Sequence, residues 1–254
     1  MSFFKKINTL LPIAALLGVL ACDKGADSSS VIPGGTNGVG GSMARFALLG
    51  DKLYTVDNQS LRVFDVSTAA NPTEGQKLAL GFGIETIFPY QGNLFIGTQT
   101  GMQIYSATNP AKPAYLSTFS HVTSCDPVVV QGSYAYVTLR NGTACNRGAN
   151  RLDVVDVSNL QSPRLVGQFP MQNPHGLGVD GLNLFVSEGD AGLKVFDLTD
   201  PKAPKQTLFF SDVRSFDVIP LNNVLMVTGK DGLRQYDYSD RSRLQLLSQL
   251  PIEP

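Results

Sequence analysis

The residues best placed to do chemistry are few, and most of them recur. One short motif occurs five times and ends in Asp65, Ser106, Asp156, Asp197 and Asp237. Repeated carboxylates invite a metal reading, but a shared site needs its ligands to converge. Copies spaced one per repeat are instead carried apart. An Asp at a strand end, ahead of a Ser or Thr and a proline turn, accepts hydrogen bonds from turn amides. That structural role is the expected one. A second polar set stands where the first strand of each repeat begins: Arg45, Glu85, Asp126, His175 and Asp217, with Arg214 just ahead of the last. Charges of both signs in one ring suit a polar ligand, a peptide terminus or an ion. Asp126 and His175 have the makings of an acid–base pair, yet no nucleophile motif accompanies them. His121 and His175 are the only histidines, which argues against a histidine metal cluster. The chain carries no Gly-x-Ser-x-Gly, no His-Glu-x-x-His, no phosphate loop and no dinucleotide fingerprint. No catalysis, no metal and no cofactor is therefore expected.

These residues are positioned by the repeat. The motif strands are Leu61–Ser67, Met102–Thr108, Leu152–Ser158, Leu193–Thr199 and Leu233–Ser239, and their acidic ends are 41, 50, 41 and 40 residues apart. A period near 40 built only from strand-like pieces points to a propeller rather than a helical solenoid. In the second repeat the pieces are Glu85–Tyr90, Asn93–Thr98, Met102–Thr108 and Ala114–Ser120, separated by Gly92, Gly101 and Asn109-Pro110. They read as strands A to D of one antiparallel blade. The fold class is all-β: a five-bladed β-propeller of four-stranded antiparallel blades. Its domain spans residues 43–254, with repeats at about 43–82, 83–122, 123–172, 173–212 and 213–252. The abundance of turn formers, 25 Gly and 15 Pro, agrees with many short strands. In such a ring the ends of the A strands surround a central channel, so the second polar set stands at a channel mouth.

Gly132-Ser-Tyr-Ala-Tyr-Val137, the Asp-Val-Ser stretches and Asp200-Pro201-Lys-Ala-Pro204 resemble the LVIVD repeat family of β-propellers. The resemblance covers about the whole domain. It departs at Ser106, where the Asp is lost, and at Asp240-Arg241, where the Pro is lost. Ring closure stays open: either blades one and five pack through side chains, or part of Ser30–Thr36 supplies an extra strand.

The third repeat is longer, through Asn141–Asn150 between strands B and C, and the insertion holds Cys145. Cys125 starts strand A of the same blade. Strand A runs away from one face and B returns to it, so both cysteines lie on that face. A Cys125–Cys145 disulfide follows, since an exported chain is in a compartment that permits one.

Export is read from the N-terminus. Lys5 and Lys6 precede an apolar run, Ile7–Leu20, too short to span a bilayer comfortably. It ends Val19-Leu-Ala-Cys22, which resembles the lipobox of bacterial lipoproteins, with residues 1–21 as signal peptide and Cys22 lipidated. Stable anchoring takes two or more acyl chains. Residues 22–42, rich in Ser and Gly, read as a flexible tether. The expected location is the bacterial cell envelope, at the outer membrane or cell surface rather than the inner membrane, with the domain in the periplasm or outside. After loss of Lys5 and Lys6 the mature chain has 18 basic and 21 acidic residues, net −3, with no basic stripe, so nucleic acid is not an expected partner. The expected partners are the lipid bilayer, through Cys22, and a protein or surface polymer. The alternative is a small-ligand or ion binder, or a hydrolase-like enzyme, at the channel mouth.

If Cys125 and Cys145 are bridged, reduction raises the intact mass of the chain by two hydrogens. An unchanged mass would mean two free thiols.

Overall fold

The structure, a computed structural model, describes residues 40–121, 127–142 and 150–252. Cys22, Cys125, Asp126, Cys145 and the Ser30–Thr36 segment lie outside these described residues, and with them the lipobox and the disulfide expectation. Among the described residues twenty strands form five sheets of four. Blade 1 holds β1 (Phe46–Leu49), β2 (Lys52–Val56), β3 (Ser60–Asp65) and β4 (Thr73–Ala79). Blade 2 holds β5 (Ile84–Tyr90), β6 (Asn93–Thr98), β7 (Gly101–Ser106) and β8 (Ala114–Ser120). Blade 3 holds β9 (Val128–Gln131), β10 (Tyr134–Leu139), β11 (Arg151–Asp156) and β12 (Arg164–Pro170). Blade 4 holds β13 (Leu177–Asp180), β14 (Asn183–Ser187), β15 (Leu193–Asp197) and β16 (Lys205–Phe210). Blade 5 holds β17 (Ser215–Leu221), β18 (Val224–Gly229), β19 (Gly232–Asp237) and β20 (Gln245–Leu250). Every blade is an antiparallel meander in chain order, as the repeat predicts.

Blades 2 to 4 are largely apolar on both faces because neighbours cover both. The side of blade n that meets blade n+1 repeats the same residue types at the same register. An aromatic on the second strand, Tyr54, Phe95, Tyr136 or Phe185, opposes a β-branched residue on the third, Val63, Ile104, Val154 or Val195. All eight are buried. The four resulting clusters join blades 1–2, 2–3, 3–4 and 4–5. Tyr54 and Tyr136 also reach across with their hydroxyls, donating to the carbonyls of Pro110 (2.8 Å) and Pro201 (3.1 Å) in neighbouring turns. Thus the proline turn of one blade docks on the aromatic of another.

The repeated Asp is a turn device. Asp65, Asp156, Asp197 and Asp237 each accept the amide of the residue two positions on, at 2.9, 2.9, 3.1 and 2.8 Å. Ser106 does the same with its hydroxyl, at 3.3 Å. These bonds hold the carboxyls of Asp65 and Asp237 below the usual range, that of Asp65 at about 2, its first cause being the Ser67 hydroxyl. Among the described residues no group of three or more His, Cys, Asp or Glu stands together as a metal site would require.

The domain starts earlier than residue 43. Gly41 and Ser42 are buried, so the flexible-tether reading of 22–42 stops short of them.

Removing one interblade hydroxyl should cost little and removing the ring much. Urea denaturation should show Tyr136→Phe less stable by about 1 kcal/mol and Tyr136→Ala by about 3–5 kcal/mol. Equal losses would mean that the ring contributes no packing.

Candidate functional site: the upper channel mouth

The inner strands of all five blades start on one face, here the upper one, and end on the other. A cavity opens at each end of the channel. The lower, about 300 Å³, is walled by the strand ends Phe88–Tyr90, Val130–Gln131, Val179–Asp180 and Pro220–Asn222, with Gly40 beside them. The upper, about 220 Å³, is lined by Met43, Arg45, Glu85, Thr86, Pro127, Arg140 and His175.

Between them lies the turn Gly41–Ala44, closed by the Ala44 amide on the Gly41 carbonyl at 3.0 Å. Its contacts reach three other blades. The Ala44 carbonyl accepts from Ile87 in blade 2 (3.0 Å), and the Leu177 amide of blade 4 donates to the Ser42 hydroxyl (2.7 Å). That hydroxyl donates in turn to Asp217 of blade 5 (3.2 Å), which also accepts the amides of Val218 and Met43. Two glycines make room for the carboxylate. A Cβ at Gly41 would collide with one of its oxygens, and a Cβ at Gly176 with the other. Burial, the dominant influence, pushes the Asp217 carboxyl up to about 6 despite these three donors.

His175 is placed from both sides. Its amide donates to the Ser187 carbonyl (2.7 Å) and its carbonyl accepts from the Thr138 hydroxyl (2.6 Å). The segment before it is pinned by the buried Glu188, which accepts the amides of Gln172 (2.9 Å) and Asn173 (2.6 Å) and pairs with Lys194 (2.6 Å). A buried pair with added hydrogen bonds fixes geometry more than it adds stability. The His175 ring leans on Phe216, centroids 5.4 Å apart. Burial first, and then the Arg140 charge, lower its pKa to about 4, so at neutral pH the imidazole is uncharged.

The six ring residues of the sequence reading therefore part company. Arg45, Glu85 and His175 meet at the upper cavity. Arg214 turns away to Asp231 in its own blade, with Nε at 3.1 Å. Asp217 lies inside the channel, on the turn. Asp126 lies outside the described residues. Arg140 and Met43 were missed. Arg140 follows β10, which returns to the upper face just before the insertion, so chain direction alone would have found it. Nothing in the pattern marks Met43.

Residues 40–78 and 124–170 match the LVIVD repeat model. They coincide with blade 1, including its leading turn, and with blade 3. Two of the five blades thus match LVIVD repeats. In overall fold this propeller is similar to a protein from Lactobacillus plantarum, with a TM-score of 0.64 and 16% identity over 79% of this chain and 69% of that one. It is similar as well to a functionally unknown protein from Desulfotomaculum acetoxidans, with a TM-score of 0.63 and 11% identity over 78% of this chain and 65% of that one. A third similar structure is apo AztD from Citrobacter koseri, with a TM-score of 0.59 and 16% identity over 80% of this chain and 60% of that one. The last two are thus spanned over less than two thirds of their length, and identities this low carry the fold alone. No curated protein matches the chain.

The two shifted groups oppose each other in pH. Asp217, raised in the folded state, contributes stability fully present below about pH 4 and lost as pH rises through about 6. His175, lowered, acts in the reverse sense over the overlapping window. Comparison with Asp217→Asn isolates the first: relative to that variant, the wild type should gain on the order of 3 kcal/mol between pH 7 and pH 4. Urea midpoints across that range check it, and parallel curves would refute it. An NMR titration should place the His175 midpoint near 4.

Proposed function

We propose that this propeller is a lipid-anchored binding platform of a bacterial cell envelope, that it engages a protein or a surface polymer through its upper face, and that it catalyses no reaction. The observation that carries the reading is the upper mouth. Arg45, Glu85, Arg140 and His175 come from four blades to one cavity of about 220 Å³. That volume is below the range of pockets that enclose a whole drug-sized ligand. It suits one projecting group of a larger partner. The described lining offers the guanidiniums of Arg45 and Arg140 beside the Glu85 carboxylate and a neutral His175, and a guanidinium fork fits a carboxylate: a peptide C-terminus, an acidic side chain or a uronic acid.

A catalytic role gains little support from the same geometry. Among the described residues no carboxylate hydrogen-bonds the His175 ring, so nothing there activates it as a base. The lipobox-like Val19–Cys22 supports the anchor, and the Ser- and Gly-rich segment after it would let the domain stand off the membrane.

Two experiments test the reading. Cys22→Ser should move the protein from the membrane fraction to the soluble fraction; unchanged fractionation would remove the anchor. For the mouth, the probes are a short peptide with a free C-terminal carboxylate, its C-terminal amide, and polygalacturonate, followed through the His175 ring signals and by calorimetry. The free carboxylate should bind and the amide should not. Arg140→Ala should weaken binding about tenfold, the loss of one charge-assisted contact. Binding indifferent to both the amide and the variant would overturn the carboxylate reading. A polymer that binds where the peptide does not would assign the partner class.

A further inference from the structure

Four of the five blade interfaces are sealed by continuous buried clusters. Among the described residues no such cluster spans blades 5 and 1, and the residue types explain why. On the forward side of blades 1 to 4 the third strand places Val63, Ile104, Val154 and Val195 at one register, all buried. Blade 5 places Gln235 there, bonded to Ser248 on the neighbouring strand (2.8 Å) rather than packed. The aromatic opposite it in the other blades is Met226. The outer strands contribute Leu78, Phe119, Phe169 and Phe210 to the next blade's cluster, whereas their counterpart Leu250 is 68% exposed.

The receiving side departs in the same way. Blades 2 to 5 offer Ile96, Val137, Val186 and Val227, all buried. Blade 1 offers Thr55, and the Phe46 paired with it is 59% exposed. At the register where each of the other four interfaces sets an aliphatic residue on both walls, this one sets a polar residue on both. Buried apolar contact is what holds neighbouring blades together, so this seam is the weakest in the ring.

Among the described residues the innermost layer holds it closed. There the turn Gly41–Ala44 bridges the two blades, joined to blade 1 by the chain and to Asp217 of blade 5 by the Ser42 hydroxyl and the Met43 amide. Gly41 lies against Asp217 and Ile219 with no room for a side chain.

We propose that the ring opens at the seam between blades 5 and 1, and that the turn Gly41–Ala44, held by Asp217, is the latch that keeps it shut. Because Met43 and Arg45 line the upper cavity, opening the seam also takes that cavity apart. A ligand that holds the cavity together therefore closes the ring.

Hydrogen exchange followed by mass spectrometry on the full chain tests this, and it needs no ligand. Amides of β1–β3 and β17–β19 should exchange at least about tenfold faster than their counterparts in β9–β11 and β13–β15. Ser42→Ala removes two hydrogen bonds of the latch and should raise exchange in blades 1 and 5 about tenfold further, leaving blade 3 unchanged. Replacing both seam residues, Thr55→Val with Gln235→Val, should slow exchange in the same two blades and raise Tm by about 3 °C. Uniform exchange across the five blades of the wild type would overturn the proposal. So would a Ser42→Ala variant that loosens all blades alike.

Discussion

A blade of this kind has two apolar faces and no means of hiding either alone. Everything else in the structure follows from that constraint. An aromatic and a β-branched residue on adjacent strands form a bump that fits the aliphatic back of the next blade, and four such fits make most of a ring. The turns serve the same end. The Asp, or in blade 2 the Ser, that ends each third strand ties its turn, and the proline turn it leads into is, in two cases, the acceptor for the aromatic hydroxyl across the interface. Repetition is therefore a solution to burial, and the residues that repeat are accounted for by it.

Closing the ring poses a different problem. A solenoid can end in a polar cap, but a ring must join its ends. Here the first and last blades each keep their own four strands, and among the described residues no shared strand welds them. The substitute is small and polar: a carboxylate inside the channel, three donors aimed at it, and two glycines that let the backbone approach from either side. Its cost is visible in the raised pKa of Asp217, since burial outweighs the donors. A group retained in so unfavourable a place is there for geometry rather than for net stability.

Much of this was legible in the sequence because the repeat is strongly patterned. The four strands of blade 2 fall at Ile84–Tyr90, Asn93–Thr98, Gly101–Ser106 and Ala114–Ser120, within two residues of their expected ends. The turn role of the recurring Asp was legible too, from its position before Ser or Thr and Pro. The mouth was half legible. Strand starts gave Arg45, Glu85 and His175. Asp217, read with them, lies instead inside the channel against the turn Gly41–Ala44, and an apolar–polar pattern does not register that depth. Arg214 was lost to a nearby carboxylate, which only three-dimensional proximity reveals. The burial of Gly41 and Ser42 was illegible as well: a Gly-rich stretch reads as linker whether it is loose or packed where only glycine fits.

The informative positions are those at which the repeat fails, and they fail in two distinct ways. Gln235 and Thr55 are polar where their counterparts are aliphatic, and they face the same interface from opposite sides. A random polar replacement within a sealed interface would leave an unsatisfied group and a partner with nothing to pack on. Paired replacements in one interface avoid that penalty, because the interface as a whole is relieved of being dry. Arg45, Glu85, Arg140 and His175 differ from one another where the blades are otherwise alike, and they are brought to a single cavity. The segment Met43–Arg45 joins the two regions, since it overlaps the latch and lines the mouth. On the proposed reading, a ligand held at the mouth bears on that joint through three residues of backbone.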